Sequence, residues 1–139
     1  MDKVFIDSDI ILDLICEREN YKDALGLFTL IEENKVSGCV SPLIFANIFY
    51  ILRKHESSKF AIQVLTRLKA LLNILTINEK IIELALSSDF KDFEDAIQYN
   101  CALSINKIDF IVTRDTKDFK HSILPVLTPE EAISSLESA

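Results

Sequence analysis

The chain has 139 residues, of which 49% are apolar, while only two are glycine and three are proline. This length suits one domain that buries its own core, and the composition excludes disordered and fibrous classes of protein. The formal net charge of −7 excludes a protein that holds nucleic acid through a broad basic surface, so any contact with nucleic acid must be local.

Three cysteines, Cys16, Cys39 and Cys101, are scattered through apolar stretches. Their odd number and wide spacing favour buried, reduced thiols over a zinc site or a disulfide framework. The sequence starts without a charged-then-apolar leader and contains no apolar run long enough to cross a bilayer. We therefore predict a soluble, cytoplasmic protein that does not engage a membrane.

Short strand-like runs alternate with helix-like runs along the chain. The predicted strands are KVFID (3–7), VSGCVSP (36–42), NILTI (73–77), DFIVTRD (109–115) and ILPVL (123–127). The predicted helices are DIILDLICER (9–18), ENYKDALGLFTLIEENK (19–35), LIFANIFYILRKH (43–55), KFAIQVLTRLKALL (59–72), EKIIELALSS (79–88), DFEDAIQYNCALSIN (92–106) and PEEAISSLES (129–138). Pro42 and Pro129 are placed to open the helices that follow them.

Two of these helices have informative apolar patterns. The helix over 19–35 is amphipathic and is predicted to bury one side, formed by Ala24, Leu25, Phe28 and Ile31. The helix over 43–55 is apolar almost all round, which predicts that it is buried.

The alternation of strands and helices predicts an α/β protein. We expect a three-layer α/β/α domain over residues 1–139, with a mainly parallel central sheet of four to five strands. Ligands of such sheets bind outside the carboxyl ends of the strands. The side chains that follow the strands are therefore the candidate functional residues.

Acidic side chains follow two of the predicted strands. Asp7 ends the first strand and Asp115 ends the strand over 109–115. If both strands are parallel members of one sheet, both carboxylates emerge at the same edge.

Other acids have a structural alternative. Asp92 suits the N-cap of the helix that it opens, whereas Asp95 is predicted to lie on a half-buried flank. Asp9 is placed to cap the first helix, and Asp13 is expected to hydrogen-bond near the site without touching a ligand.

Asp7, Asp95 and Asp115 would form a cluster of three carboxylates, which repel one another unless protons or a cation intervene. Mg²⁺ or Mn²⁺ suits such a cluster, because hard cations select oxygen ligands. His55 and His121 are expected at the surface, and neither a zinc site nor a Ser–His–Asp triad is supported.

The quoted segments resemble the PIN-domain ribonucleases, including the VapC-like toxins of toxin–antitoxin pairs. VFIDSDIILDLI resembles the opening segment of that family, VSPLIFANIFYILRK the second, and DFKDFEDAIQYNCALSINKIDFIVTRDTKDF the third and fourth. The last segment is the most specific, and the resemblance runs nearly from end to end. It implies a PIN-like fold and metal-dependent hydrolysis of RNA.

The resemblance also implies residue roles. Asp7 matches the first metal-binding acid of the family, Asp95 the third and Asp115 the fourth, with Asp118 able to assist or replace Asp115. The second acid is usually a glutamate, and that place holds Asn47. Glu56 and Glu94 lie near these segments in sequence but are out of register as replacements.

The remaining expectations concern substrate and partners. Ser8, Thr113 and Arg114 are candidates for positioning the phosphate, with Arg114 the better candidate for charge compensation. The family resemblance suggests a homodimer and an antitoxin protein as partners, and the apolar segments around 21–35 and 43–52 offer surface for either, although core burial explains them equally well.

Three alternatives stay open at this point. A PIN-fold module without catalysis, acting as a binding or regulatory partner, is suggested by Asn47. A phosphatase like the haloacid dehalogenases would use Asp7 as nucleophile and Asp9 as acid and base, but Ile11 and the scarcity of glycine do not suit it. A receiver domain would require a paired acid at the first strand and a late Lys-Pro, and both are absent from the sequence.

Overall fold

A computed structural model of the protein describes residues 1–105 and 107–138. The strands are β1 (Lys3–Ile6), β2 (Ser37–Val40), β3 (Asn73–Ile74), β4 (Phe110–Val112) and β5 (Val126–Leu127). The helices are α1 (Ser8–Ile15), α2 (Tyr21–Glu32), α3 (Leu43–His55), α4 (Ser58–Leu71), α5 (Glu79–Leu86), α6 (Phe93–Leu103) and α7 (Pro129–Glu137). A short 3₁₀ helix (Thr116–Phe119) precedes β5.

The five strands form one parallel sheet in the order β3-β2-β1-β4-β5. The central strand, β1, is buried on both sides: Val4 and Ile6 pack with α1, α2, α3 and α4, whereas Phe5 packs with α6. A strand buried on both faces reads as a continuous apolar run, which is why VFI appears without alternation. The predicted three-layer α/β/α fold with a parallel sheet is confirmed.

Each predicted strand and helix corresponds to an observed element, with shorter strands than expected. The strands are shorter because the paired ladder ends before the extended backbone does, as at Asp7 after β1. The prediction that a helix begins at Pro129 is confirmed, and α7 also carries a capping box between Thr128 and Glu131. The predicted helix over 92–106 ends at Leu103, and its last residue, Asn106, lies outside the described residues, as does Ala139 at the end of the predicted domain.

Three predictions of burial are wrong in part. In α3, burial is limited to Ile44, Ile48 and Leu52, and Tyr50 is 61% exposed, because only one face of this helix packs against the sheet and α4. In α2, the buried stripe includes Leu27 while Leu25 faces outward.

The third partial error concerns the cysteines. Cys39 and Cys101 are buried as expected, but Cys16 is exposed, since it caps the end of α1 where the chain leaves the core. No helix within the described ranges is both long enough and apolar enough to span a membrane.

Gly38 in β2 provides a test of how tightly the core is packed. A methyl group there would stand 2.9 Å from Ile31 and Leu72 and 3.1 Å from Ile6, all of which are buried. We expect Gly38→Ala to lower the free energy of unfolding by about 1–3 kcal/mol in urea denaturation, because overpacking displaces several side chains at once.

Gly26→Ala is the matched control. Within α2 its methyl group would approach only the end of the partly buried Ile133, and alanine is favoured over glycine in a helix by about 1 kcal/mol. A Gly38→Ala protein as stable as Gly26→Ala would contradict the packing described for β2.

Candidate active site

Asp7 follows β1 and is held by two neighbouring elements. Thr113 Oγ1 donates a hydrogen bond to Asp7 Oδ2 at 2.8 Å, and Gln98 Nε2 donates to Oδ1 at 3.2 Å. Asp7 is only 3% exposed. Burial, and then the charge of Asp9, raise the pKa of Asp7 to about 6, against the lowering effect of its hydrogen bonds, including that from the backbone N–H of Ser8. A fixed, dehydrated carboxylate of this kind favours a proton or a cation nearby.

The sheet and α6 bring these partners together. Ile6 of β1 pairs with Val112 of β4, and the Asp7 N–H donates to the Val112 carbonyl at 3.0 Å, so Thr113 lies directly beside Asp7. On α6, Asp95 and Gln98 are three residues apart and therefore share one face. The hydrogen bond from Gln98 shows that this face meets Asp7.

Asp95 lies half-buried among other acids, as its flank was predicted to do. Burial, followed by the charges of Asp7, Asp92, Asp118 and Glu94, raises the pKa of Asp95 to about 7. The structure thus brings Asp7 and Asp95 into one region, while their role as ligands stays a prediction.

The raised pKa values of Asp7 and Asp95 have a consequence for stability. Because both exceed the ordinary value of 3.8, the folded protein retains protons that the unfolded chain releases near pH 4. Without a cation, the contribution of these two groups to stability is therefore greatest below about pH 4 and is lost as the pH rises through about 6 to 7.

Asp115 and Asp118 occupy different positions. Asp115 is exposed and caps the 3₁₀ helix, where its Oδ1 accepts a hydrogen bond from the Lys117 N–H at 3.2 Å. The charge of Asp118 contributes to the raised pKa of Asp95. The pKa of Asp118 is itself raised, first by burial and then by the charges of Asp115, Asp9 and Asp92. In the register of β1 and β4, Thr113 is the residue opposite Asp7. Asp115 comes two positions later in the chain and is not opposite Asp7. The metal-binding role of Asp115 stays a prediction.

Asp92 is an N-cap as predicted, whereas Asp9 is not. Asp92 caps α6, since its Oδ1 accepts the Asp95 N–H at 2.9 Å. Asp9 does not hold the predicted N-cap of α1, because that helix begins one residue earlier, at Ser8, and Asp7 occupies the cap position.

Arg114 links the end of β4 to α1. Its Nη1 lies 2.6 Å from Oδ1 of Asp13, which is fully buried, and its Nη2 lies 3.7 Å from Oδ2 of Asp9. Burial raises the pKa of Asp13, and the Arg114 charge opposes that rise. The predicted contact of Arg114 with phosphate stays a prediction, but the guanidinium already has an ion-pairing role within the chain.

Two polar contacts of the site are not evident from the sequence. Gln98 lies three residues after Asp95 on an otherwise buried helix, and that position is the signal that points to it. Glu94 is out of register in sequence with the missing acid, and in the structure Asn47 Nδ2 donates a hydrogen bond to Glu94 Oε1. That contact joins α3 to α6 across 47 positions of sequence.

A cavity of about 410 Å³ adjoins the acidic region. Its lining includes three lysines among four acids: Lys91, Lys117 and Lys120, with Asp89, Asp92, Asp95 and Asp118. His121 also lines it and is exposed, as predicted for both histidines. An anionic polymer could therefore meet positive charge next to the carboxylates, despite the acidic net charge of the chain.

The donor set fits a hard divalent cation. The clustered groups are carboxylate oxygens, which Mg²⁺ and Mn²⁺ prefer. Across residues 1–105 and 107–138, no three acidic, histidine or cysteine side chains form a ready ligand set. Mg²⁺ commonly uses one or two carboxylates and keeps several of its waters, so it does not require such a closed cage.

Comparison with known proteins identifies the family. A family profile described as the PIN domain matches residues 3–117. This chain belongs to the PIN-domain family. A curated relative, ribonuclease VapC1 of Aquifex aeolicus (strain VF5), is 31% identical over 139 residues, covering 94% of this chain and 92% of that protein.

Solved structures with the same fold include two from bacteria. A toxin–antitoxin complex from Klebsiella pneumoniae aligns with a TM-score of 0.66 and 26% identity, over 91% of this chain and 97% of that one. VapBC2 from Rickettsia felis, bound to a DNA fragment from its promoter, aligns with a TM-score of 0.65 and 17% identity, over 90% and 96%. Membership of the PIN-domain family replaces the phosphatase and receiver-domain alternatives.

The ion pair between Arg114 and Asp13 yields a prediction for this PIN domain. We expect Arg114→Leu to lower the free energy of unfolding at pH 8 by roughly 2 kcal/mol or more, because it leaves Asp13 buried without its cation. The loss should shrink near pH 4, where Asp13 can take up a proton in the folded state. Urea denaturation at the two pH values measures both effects.

Arg67→Leu, on the exposed face of α4, is the control and should change stability by no more than about 0.5 kcal/mol. Equal losses in the two variants, or a loss that does not depend on pH, would contradict the role given to Arg114.

Proposed function

We propose that this protein is a divalent-metal-dependent ribonuclease that hydrolyses RNA phosphodiesters. The observation that carries the proposal is the meeting of Asp7 and Asp95 at the carboxyl edge of the sheet, beside a cavity whose lining includes three lysines as well as acids. Carboxylates in that arrangement suit a cation, and the lysines suit a phosphate backbone. The curated relative named a ribonuclease supports the choice of RNA over other phosphodiesters.

The site residues have different roles in the proposed reaction. Asp7 and Asp95 would hold the ion, with Asp115 or Asp118 contributing from the 3₁₀ segment. Thr113 and Gln98 fix the orientation of Asp7, so that this carboxylate needs little reorganisation when the charge of the substrate changes. Bound Mg²⁺ or Mn²⁺ supplies a Lewis acid that neutralises phosphate charge and acidifies water.

Substrate contacts are proposed for the basic groups. Lys117 and Lys120 line the cavity beside Asp118, where they could hold phosphates on either side of the scissile bond. Ser8 is 8% exposed and Thr113 is fully buried, which suits them to supporting Asp7 better than to touching RNA directly.

Partners follow from the relatives. The Klebsiella pneumoniae structure is a toxin–antitoxin complex, so we propose that this protein is the toxin of such a pair and acts in the cytoplasm. A homodimer is proposed as well. The exposed apolar side chains Tyr50, Phe60 and Ile62 supply surface for one of these contacts.

One observation favours a second function. Asn47 stands where the family usually has a glutamate, and an amide brings neither charge nor a base. The alternative is therefore a PIN-fold binding or regulatory module with impaired catalysis. The two functions differ in whether the wild-type chain cleaves RNA.

Cleavage of mixed single-stranded RNAs with MnCl₂ is the deciding experiment. We expect the wild type to cleave, EDTA to abolish cleavage, and Asp7→Asn to lower the rate by about 100-fold or more, since even outer-shell changes at metal sites cost roughly 10–100-fold. Asp109→Asn is the matched control, because Asp109 is exposed at the opposite end of the sheet and its removal should leave the rate unchanged.

No cleavage by the wild type at any metal concentration, with cleavage gained by Asn47→Glu, would instead establish the impaired binding module.

A further inference from the structure

Asn47 and Glu94 are joined across the site from different helices. Asn47 lies near the start of α3 and Glu94 in the first turn of α6. Asn47 Nδ2 donates to Glu94 Oε1, and both residues are partly buried. A side-chain hydrogen bond of this kind is directional, so it places one carboxylate oxygen of Glu94 at position 47.

The positions of the two helices place Glu94 at the same edge of the sheet as Asp7. Helix α3 begins three positions after the end of β2, so Asn47 lies close to the carboxyl ends of the strands. Glu94 directly precedes Asp95 in α6, and the hydrogen bond from Gln98 brings that helix to Asp7. Glu94 is therefore near the other acids, and it is not an isolated acid at the start of a helix.

The residue types at the two positions are complementary. A glutamate at position 47 beside Glu94 would bring two carboxylates into contact, which is unfavourable without a proton or a cation between them. Asparagine supplies a donor instead. A carboxylate accepts at about four lone-pair sites, so Glu94 keeps acceptor capacity after it binds Asn47.

We propose that Glu94 supplies the second-acid carboxylate that position 47 lacks, and that Asn47 is the positioning residue that holds it at the metal-binding site. The inference rests on the proposed ribonuclease function. It makes Asn47 compatible with catalysis, because α6 would supply the carboxylate that α3 lacks.

The test measures Mn²⁺ affinity of the full-length protein by titration calorimetry without RNA, alongside RNA cleavage. We expect Glu94→Gln to weaken Mn²⁺ binding by about 10-fold or more. The double variant Asn47→Glu/Glu94→Gln, which returns the carboxylate to α3, should regain most of that affinity. Glu56→Gln, which removes the same charge from an exposed site at the end of α3, should bind Mn²⁺ like the wild type.

A double-mutant cycle tests the role of Asn47. Asn47→Ala should weaken Mn²⁺ binding when Glu94 is present and have little further effect in the Glu94→Gln background, since a positioning residue acts only through its partner. If Glu94→Gln does not fold, Glu94→Asp is judged by the same criterion, with weaker Mn²⁺ binding supporting the proposal and unchanged binding overturning it.

The outcomes separate the two proposals. Wild-type affinity in Glu94→Gln, with Mn²⁺ binding and RNA cleavage intact in the wild type, would overturn the role of Glu94 and leave the ribonuclease standing. Loss of affinity without recovery in the double variant would overturn the exchange with position 47. A wild type that neither binds Mn²⁺ nor cleaves RNA would overturn both proposals.

Discussion

The organisation of the site depends on how the buried carboxylate of Asp7 is held. It accepts hydrogen bonds from Thr113 at 2.8 Å and from Gln98 at 3.2 Å. These hydrogen bonds join the ends of two parallel strands, β1 and β4, to helix α6, which covers one face of the sheet. The same hydrogen bonds that hold Asp7 bring Asp95 close, because Gln98 and Asp95 share a face of α6. A buried acid costs free energy unless it is compensated, and here compensation by the protein is incomplete.

Because compensation is incomplete, negative charge remains unbalanced in the rest of the site. The charges of neighbouring acids help to raise the pKa values of Asp7, Asp95 and Asp118, while the guanidinium of Arg114 pairs with Asp13 and Asp9. Three lysines line the adjoining cavity together with four acids. Such a region is destabilising in a cation-free protein, as functional sites often are, and is suited to gain stability when a divalent ion binds.

The sequence was sufficient to predict the fold, and the structure brings two of the predicted site acids, Asp7 and Asp95, into one region. A strand buried on both faces produces a continuous apolar run such as VFI, and the acid directly after it marks the edge of the sheet. Periodicity failed for α3, since an apolar outer face does not reveal whether another element covers it. The Asn47–Glu94 contact could not be predicted, because it depends on how α3 and α6 meet in space. Likewise, Thr113 lies level with Asp7 through strand register, which residue type alone does not reveal.

If a divalent ion relieves the repulsion among these carboxylates, thermal unfolding at pH 8 depends on both the acids and the ion. In EDTA, Asp95→Asn should unfold at a higher temperature than the wild type, because it removes one of the repelling charges. Addition of Mg²⁺ should raise the unfolding temperature of the wild type more than that of the variant. If the variant is no more stable in EDTA, and Mg²⁺ shifts both proteins equally, the acids do not form a shared ion site.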